Sequence, residues 1–333
     1  MTVKMRGSKI NSPTIAIIGF GAIARKHVSS IFKLAPSSKV CVLTSQHELK
    51  EFSSFQISYH INIQTILNMK PDFAVIATDA GRHAEHVEVL LKSGVDILIE
   101  KPIAACLNDA EHINALAHTY GQTVKVAYNI RFSNALQFLK KAVESMSIGR
   151  VLSVHSTVGQ NLETWRPGRD LMSTASATRA KGGGVLRELS HELDYLQHMF
   201  GPALPCAAML GTQRFNMLNV EDSAMILLRY KEDGYDIMAS LNLDFTRHDK
   251  LRQCHIIGDK GSLRWDALGG RVVLFRHDYE EILYDNVDDL PLTNINMWSA
   301  WLAGNMDCFA SVDEGLEVIT GIEKIESLAG AET

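Results

Sequence analysis

A short apolar run that ends in a glycine motif limits what this chain can fold into more than any other feature. Residues 15–24 read Ile-Ala-Ile-Ile-Gly-Phe-Gly-Ala-Ile-Ala, a buried strand followed by Gly-x-Gly-x-x-Ala. Small residues at such a turn let a pyrophosphate reach the N-terminus of the next helix, where backbone N–H groups face it. The alternative is a tight turn that binds nothing. Because the motif follows a strand and opens a helix, we expect a dinucleotide site formed by Gly19, Phe20, Gly21, Ala22 and Ile23.

Composition and charge narrow the class of protein. The chain has 333 residues, of which 46% are hydrophobic, and this is enough apolar surface for two cores. The net charge of −5 comes without a basic patch, so we expect no nucleic-acid partner. No stretch is long enough to span a membrane, and residues 1–12 lack the apolar core of a signal peptide. Five scattered cysteines without a Cys-x-x-Cys pair predict a reduced, cytoplasmic protein.

The first part of the chain has the pattern of a doubly wound parallel sheet. Short apolar runs alternate with helical stretches, which is typical of βαβ units. The predicted strands are 15–18, 40–43, 73–77, 96–99 and 124–127, and the predicted helices are 22–34, 63–68, 84–93 and 107–120. We therefore expect an N-terminal Rossmann domain over residues 1–126, with its ligand at the carboxyl ends of the strands. The residues at those ends are Gly21, Thr44, Thr78 and Glu100.

The second part, residues 127–333, changes to long alternating strands with few helices between them. Strands are predicted over 151–158, 224–228, 237–243 and 254–258. This pattern indicates an α+β domain with a large, mostly antiparallel sheet that has one covered face. We expect the other face to build a homo-oligomer, a dimer or a tetramer. Because no flexible linker separates the domains, we expect the substrate in a cleft between them.

The second strand does not decide between the two nicotinamide cofactors. A site for NAD usually carries an acidic residue at the end of this strand, which accepts hydrogen bonds from the ribose hydroxyls. Here the strand ends Leu-Thr-Ser-Gln-His, with no carboxylate before Glu48 and no arginine for a 2′-phosphate. Thr44 and Ser45 can bond to either form. The sequence therefore predicts NAD or NADP.

The predicted strand 96–99 is followed by Glu100, Lys101 and Pro102. Proline restricts both its own backbone and that of the residue before it, so the direction of the lysine is set by geometry. An ammonium group at the mouth of the sheet can bond to a substrate oxygen. Strands also end in a charged residue and a proline without any functional reason, and the tripeptide alone leaves both interpretations open.

Residues 182–200 predict a helix that starts after three glycines and carries a polar cluster. Apolar residues at helical spacing define a buried stripe that consists of Leu186, Leu189, Leu193, Leu196 and Phe200. His191 lies opposite this stripe, and the polar residues on its flanks are Arg187, Glu188, Asp194 and Tyr195. On periodicity alone, such a cluster is a solvated helix surface.

A zinc site does not fit the same segment. A His-Glu-x-x-His helix needs its second histidine four residues after His191, and that position is Tyr195. His83 and His86 supply only two ligands. We therefore expect no metal.

The segment Trp165-Arg166-Pro167-Gly168-Arg169-Asp170 combines an aromatic plate with two guanidinium groups. Trp165 could stack on a sugar ring, and Arg166 and Arg169 could bind a carboxylate or a phosphate in bidentate fashion. With Arg187, these residues predict an anionic substrate such as a nucleotide-activated sugar. A surface loop whose arginines pair with local acids is the alternative.

Taken in order, these motifs resemble the glucose-fructose oxidoreductase / inositol dehydrogenase / rhizopine-catabolism (Gfo/Idh/MocA) family of oxidoreductases. The matching features span most of the chain and are the Gly19–Ala24 motif, Ala77-Thr78 with His83, Glu100-Lys101-Pro102, Arg131, the triple glycine with His191 and Asp194, and Ile256-Ile257-Gly258 with Gly261. The resemblance implies NAD(P) in the N-terminal domain, a mixed sheet in the second, and a cis bond between Lys101 and Pro102. It also implies hydride transfer at a hydroxyl or ketone of a sugar or cyclitol. The resemblance adds His83 and Asn129 to the expected cofactor-binding residues, which also include Thr44, Ser45, Thr78, Glu100 and Lys101.

The resemblance also implies residue roles. His191 is the expected general base, Lys101 the residue that bonds to the reacting oxygen, and Glu188 or Asp194 the group that orients His191 or the sugar. The family usually has an acid four residues before its histidine, whereas this chain has Arg187 there and Glu188 one residue later. Either Glu188 replaces the usual acid after a small rotation, or the role is absent. The Trp165–Asp170 loop resembles members from surface-polysaccharide and nonulosonic acid biosynthesis. Two alternatives remain: a glycoside hydrolase that oxidises its substrate transiently, and a non-catalytic NAD(P)-binding sensor.

Overall fold

The computed structural model describes residues 12–45, 52–165, 170–215 and 218–330. The chain divides into two compact units. Unit 1 comprises Met1–Asn129 and Asn294–Leu316, and unit 2 comprises Ile130–Thr293 and Glu317–Thr333. The first division lies close to the predicted boundary at residue 126. The return of the chain to unit 1 after residue 293 was not predicted from the sequence.

Unit 1 contains a six-stranded sheet in which every pair of neighbouring strands is parallel. Its strands are β1 (Thr14–Ile18), β2 (Lys39–Leu43), β3 (Ile57–His60), β4 (Phe73–Ile76), β5 (Asp96–Ile99) and β6 (Val124–Val126), in the order β3-β2-β1-β4-β5-β6. The strand order reverses between β1 and β4, which creates a crevice at their carboxyl ends. Five of these strands match the prediction. β3 was missed because its Ile-Ser-Tyr-His sequence is only half-buried and has no apolar run.

Four helices connect these strands and cover the sheet. They are α1 (Ala22–Leu34), α2 (Ile63–Asn68), α3 (His83–Lys92) and α4 (Leu107–Tyr120). On α1 the buried residues include Ala24, Val28 and Ile31, which share one helix face because they lie three or four positions apart. This face fixes the start of α1 directly after the glycine motif.

Unit 2 contains an eight-stranded sheet. Its strands are β7 (Val151–Gly159), β8 (Leu204–Gly211), β9 (Ser223–Glu232), β10 (Tyr235–Asp244), β11 (Leu251–Gly258), β12 (Gly261–Asp266), β13 (Arg271–Arg276) and β14 (Tyr279–Asp285), in the order β14-β13-β12-β11-β7-β10-β9-β8. Only the pair β7–β10 is parallel. Buried and exposed residues alternate along β9, as expected for a sheet with one covered face. The predicted fold class is therefore confirmed.

The remaining helices are α5 (Asn134–Glu144), α6 (Leu162–Trp165), α7 (Val185–Glu188), α8 (His191–Phe200), α9 (Asp289–Ala303) and α10 (Val312–Gly330). The chain leaves unit 2 within α9 and returns to it within α10. The sequence pattern predicted few helices in this half of the chain, and it did not predict α9 or α10. None of the helices in the described part of the chain is long and apolar enough to cross a membrane.

Candidate functional site

The two glycines of the turn between β1 and α1, Gly19 and Gly21, are needed there for different physical reasons. Gly19 has a φ of +93°, and a Cβ placed on it would lie 2.8 Å from the carbonyl oxygen of Ala77. Gly21 caps α1, and a Cβ placed on it would meet no atom within 4 Å. Gly19 thus lets the turn pack against the end of β4, whereas Gly21 leaves open space at the helix N-terminus. The first turn of α1 carries no acidic residue, so this N-terminus can receive an anion.

A cavity of about 380 Å³ opens beside this turn. Its lining residues are Gly19, Phe20, Gly21, Leu43, Thr44, Ser45, Ile61, Thr78, Arg82 and His86. Six of them were predicted from the sequence as cofactor-binding residues: Gly19, Phe20, Gly21, Thr44, Ser45 and Thr78. The structure therefore brings the ends of β1, β2 and β4 together around one space, as the topology requires.

Arg82 and His86 line the cavity but were not predicted to bind the cofactor. They lie just before and within the first turns of α3, four residues apart, so both face the same side of the chain. This spacing was the one signal in the sequence that could have indicated them. The other six predicted cofactor residues do not line the cavity: Ala22, Ile23, His83, Glu100, Lys101 and Asn129.

Two residues that line this cavity each carry a buried polar atom with no hydrogen-bond partner among the described residues. These atoms are Oγ1 of Thr78 and Nε2 of His86. Burying a polar group without a partner costs free energy, so such atoms at a cavity wall indicate a bound polar ligand or water. Together with the open space at Gly21, they fit the ribose and phosphate groups of a dinucleotide.

His83 has a structural role in the geometry of this region. Its Nδ1 lies 3.1 Å from the carbonyl oxygen of Ile103, and its Nε2 lies 3.1 Å from that of Thr78. Burial lowers the pKa of His83, which keeps the ring neutral, and a neutral ring donates to only one of these oxygens at a time. The side chain therefore ties the end of β4 to the segment after Pro102, and its expected role in cofactor binding stays a prediction.

Glu100 is held by a buried network in unit 1. The indole N–H of Trp298 donates to Nδ1 of His27 at 2.9 Å, and Nε2 of His27 lies 2.8 Å from Oε1 of Glu100. An indole nitrogen can only donate, so Nδ1 is the acceptor and the proton resides on Nε2, which donates to Glu100. The backbone N–H of Lys101 donates to Oε2 at 3.1 Å. The Lys101–Pro102 bond is cis, as the resemblance implies.

In unit 2, the segment around His191 differs from the predicted single helix. It forms two helices, α7 and α8, with Leu189 and Ser190 between them, and His191 is the first residue of α8. Almost every side chain from His191 to Gln197 is buried. The interpretation of the polar cluster as a solvated surface is therefore wrong. His191 thus lies at the start of a ten-residue helix whose side chains pack inside unit 2.

Asp194 forms a buried ion pair instead of an open substrate contact. Arg131 donates to it through Nε at 3.0 Å and through Nη2 at 2.7 Å, and both side chains are nearly inaccessible. A second acid of α8, Glu192, has its Oε1 2.9 Å from Nε of Arg252. The prediction that Asp194 binds substrate is corrected: both oxygens of its carboxylate face Arg131.

Arg187 is likewise committed within unit 2. It is fully buried, and its Nη1 lies 2.5 Å from Oε1 of Glu326 on α10. A second contact joins Nη2 to Glu323 at 3.5 Å. The prediction that Arg187 binds an anionic substrate is corrected, because two carboxylates of the protein already surround the guanidinium.

Glu188 and the glycines before it belong to one compact turn. Ser176 Oγ donates to Oε1 of Glu188 at 2.5 Å. A Cβ on Gly183 would lie 2.5 Å from the carbonyl oxygen of Ala175, and Gly184 has a φ of +95°. The triple glycine therefore lets the 175–177 turn pack directly against the start of α7, and it places Glu188 against that turn.

The predicted substrate loop is described only at its ends. Trp165, the last residue of α6, is half-buried and packs edge-to-face on Phe245 with ring centroids 5.7 Å apart. Arg166 and Arg169 lie outside the described residues. Within the described ranges, no three histidine, cysteine, aspartate or glutamate side chains converge to hold a metal ion.

A parallel sheet with a glycine turn, an open helix N-terminus and a polar cavity at its switch point defines a dinucleotide-binding protein. Comparison with known proteins identifies the class further. Residues 14–128 match the family model described as oxidoreductase family, NAD-binding Rossmann fold, and residues 136–264 match the GFO/IDH/MocA C-terminal domain. The chain belongs to the Gfo/Idh/MocA family of NAD(P)-binding oxidoreductases.

Individual relatives in this family are distant. The 1-carboxy-3-chloro-3,4-dihydroxycyclohexa-1,5-diene dehydrogenase of Comamonas testosteroni is 24% identical over 82% of this chain and 69% of its own length. The 2,7-anhydro-N-acetylneuraminate hydratase of Escherichia coli is 26% identical over 42% of this chain and 36% of its own. The WlbA dehydrogenase of Bordetella pertussis, solved with NADH and UDP-GlcNAcA, superposes with a TM-score of 0.76 at 20% identity, covering 97% of this chain and 96% of that one.

Substitution of the two glycines should separate folding from cofactor binding. Gly19→Ala places a side chain on a left-handed backbone and against β4, so it should lower the free energy of unfolding by about 1–3 kcal/mol. Gly21→Ala should leave stability nearly unchanged but weaken NAD(H) or NADP(H) binding by about tenfold or more, because its methyl group enters the open space at the helix N-terminus. Denaturant unfolding and cofactor titration measure the two effects.

Gly321→Ala is the matched control, since a Cβ there also meets no atom within 4 Å and the position is distant in sequence from the motif. It should leave cofactor binding unchanged and raise stability by no more than about 1 kcal/mol, because alanine is the better helix former inside α10. Unaltered cofactor binding in Gly21→Ala would show that the open space at α1 is not used by the ligand.

Asp194→Asn should destabilise the protein by about 3–5 kcal/mol, because it leaves the buried guanidinium of Arg131 without its anion. Asp236→Asn, at an exposed pair with Lys231, should cost less than about 1 kcal/mol and serves as the control. Denaturant unfolding measures both. If Asp194→Asn kept full stability and raised only the KM for substrate, the structural assignment of Asp194 would be refuted.

Proposed function

We propose that this chain is an NAD(P)-dependent dehydrogenase or reductase that moves a hydride between the nicotinamide and a hydroxyl or ketone carbon of a sugar. The observation that carries the proposal is the position of Lys101. It follows β5, two strands from the glycine turn in the sheet order β1-β4-β5, and its backbone is held by the buried carboxylate of Glu100. A cation is thus placed at the same carboxyl edge as the dinucleotide cavity.

Lys101 is proposed to donate a hydrogen bond to the oxygen of the reacting carbon. In the oxidation direction this oxygen gains negative charge as its proton leaves, and an ammonium group stabilises that charge. The side chain of Lys101 is half-buried, so it can reach a ligand while its backbone stays fixed. NAD(P), when bound, supplies the hydride acceptor or donor.

His191 is proposed to be the general base that takes the hydroxyl proton. Histidine suits this task because it is the side chain whose unperturbed pKa is closest to neutral pH. Glu188 lies three residues before His191 in the chain, and its carboxylate accepts a hydrogen bond from Ser176. It is proposed to act as a positioning residue.

The substrate is proposed to be an anionic or nucleotide-activated sugar. Trp165 supports this, because it ends α6 half-exposed and is braced by Phe245, as a stacking platform for a ring would be. The UDP-GlcNAcA bound to the structural neighbour from Bordetella pertussis supports the same chemistry. With Arg187 buried, anion recognition is proposed to depend on Arg166 and Arg169 alone.

Lys101→Met and His191→Asn should each lower kcat by about 10²- to 10⁴-fold while leaving cofactor affinity within a few-fold of the parent protein. The assay is the change in nicotinamide absorbance with a panel of sugars, sugar acids and nucleotide sugars. Lys92→Ala, at an exposed lysine on α3, is the control and should keep full activity. Full activity in Lys101→Met or His191→Asn would remove that residue from the mechanism.

A second candidate function is a lyase or hydrolase that oxidises its substrate only transiently. The relationship to a 2,7-anhydro-N-acetylneuraminate hydratase favours it. The same two side chains would serve, since oxidation next to a leaving group also requires a base and a stabilised oxygen. Product formation without net change in nicotinamide absorbance would identify this activity. Cofactor binding without any product would instead indicate a sensor.

A homo-oligomer is proposed through the outer face of the eight-stranded sheet. Four large apolar side chains on neighbouring strands β8, β9 and β10 are each more than half exposed: Met209, Met225, Leu227 and Met238. Met209 and Met225 are directly opposite each other across the strand pair. A contiguous apolar surface of this kind is unusual on a monomer, and a second copy of the same face would cover it symmetrically.

The double variant Met225→Lys with Met238→Lys should shift the protein to a smaller mass in light scattering, because it places uncompensated charges in the apolar surface. Ile282→Lys, at an equally exposed position on β14, is the control and should leave the mass unchanged. A parent protein that is monomeric at micromolar concentration would refute the proposed interface.

A further inference from the structure

The polar side chains that line the 380 Å³ cavity of unit 1 can all donate hydrogen bonds, and none of them is acidic. Thr44 and Ser45 bring hydroxyls from the end of β2, Thr78 brings one from the end of β4, and Arg82 and His86 bring a guanidinium and an imidazole. No carboxylate occurs among the ten lining residues of this described cavity. Hydroxyls, guanidinium and imidazole are all groups that can donate hydrogen bonds to an anion.

The absence of a lining carboxylate matters because the two nicotinamide cofactors differ only at the 2′-position of the adenosine ribose. A site that selects NAD usually offers a carboxylate to the 2′-hydroxyl, and the same carboxylate repels the 2′-phosphate of NADP. Here the two residues after β2 that line the cavity are Thr44 and Ser45, and hydroxyl groups can donate to a phosphate.

Arg82 supplies the positive charge that a phosphate requires. Its present partner is Glu85, with a shortest distance of 3.2 Å, and both side chains are more than half exposed. Exposed pairs of this kind are worth at most about 1 kcal/mol. A dianionic phosphate, which a guanidinium can bind in bidentate fashion, is a stronger partner, so the contact with Glu85 does not prevent Arg82 from binding a ligand.

His86 supplies a second group. This residue lines the cavity and is only 4% exposed, and its buried Nε2 has no hydrogen-bond partner in the described part of the chain. Burial lowers the pKa of His86, and the nearby Arg82 and His83 lower it further, while Glu85 opposes the shift. A bound anion would offer Nε2 the partner that it lacks.

We infer that this site prefers NADP(H) to NAD(H), and that Arg82 and His86 of the α3 region, together with Thr44 and Ser45, bind the 2′-phosphate. The preference is thus set partly by the connection after β4 and not by the end of β2 alone. This inference rests on the proposed use of the cavity for the adenosine end of a nicotinamide cofactor.

Equilibrium binding to the purified full chain tests the inference without any substrate. NADPH and NADH are titrated separately by fluorescence or calorimetry, and 2′,5′-ADP and 5′-AMP are titrated as probes of the adenosine end. We expect NADPH and 2′,5′-ADP to bind at least about tenfold more tightly than NADH and 5′-AMP, a difference of about 1.4 kcal/mol. The preference should weaken at high salt, because it depends on charge.

Arg82→Ala should weaken NADPH binding by about tenfold and leave NADH binding within about twofold, whereas Arg82→Lys should restore part of the loss. His86→Ala should reduce the same preference by a smaller factor. Lys92→Ala removes an exposed charge from the same helix and should change neither affinity, which controls for the net charge of the protein. Thermal unfolding of each variant verifies that it is folded.

The outcomes separate this inference from the proposed function. Equal binding of both cofactors, tighter binding of NADH, or an equal loss of both in Arg82→Ala would overturn the 2′-phosphate site but keep the dinucleotide site. Failure to bind either cofactor would overturn the proposed function itself.

Discussion

A buried carboxylate, Glu100, holds together the parts of unit 1 that carry its chemistry. It accepts hydrogen bonds from His27 on α1 and from the backbone of Lys101 after β5, and Trp298 on α9 fixes the tautomer of His27. Since α1 starts at the glycine turn, one side chain links the helix that follows this turn to Lys101. These donors matter because a buried carboxylate without hydrogen bonds costs free energy.

Unit 2 uses buried ion pairs in a comparable way. The acids of α8 face partners that lie far away in the sequence, with Asp194 paired to Arg131 and Glu192 to Arg252. Such pairs add little net stability over apolar packing, but the loss of one member is costly, so they specify which helix face packs where. The start of α8, and with it the orientation of His191, depends on these pairs.

The two units also show how far the sequence could predict the fold and the site. Strong local signals, such as the apolar run before Gly19, predicted the parallel sheet because the same residues carry both the signal and the structure. The Gly19–Gly21 turn also lines the cavity, whereas Glu100 and Lys101 do not. Periodicity failed around His191, because a charged residue on a helix is assigned to solvent unless its partner is known. The partner of Asp194 is Arg131 and that of Arg187 is Glu326, and each pair is more than 60 residues apart in the sequence. β3 was missed for a similar reason, because parallel pairing with β2, not its own pattern, makes it a strand.

The same limit explains why the cofactor preference could not be read at the end of β2. The expected determinant is a residue within one strand end, and the sequence there offers only Thr44 and Ser45. In the structure, Gly19 lets the turn approach β4 so closely that the connection after β4 shares a cavity with the end of β2. The guanidinium of Arg82, just before α3, can then act on a ligand group bound at the end of β2, although the two sites are far apart in the sequence. Recognition of the 2′-position is in this sense a property of the packing around Gly19.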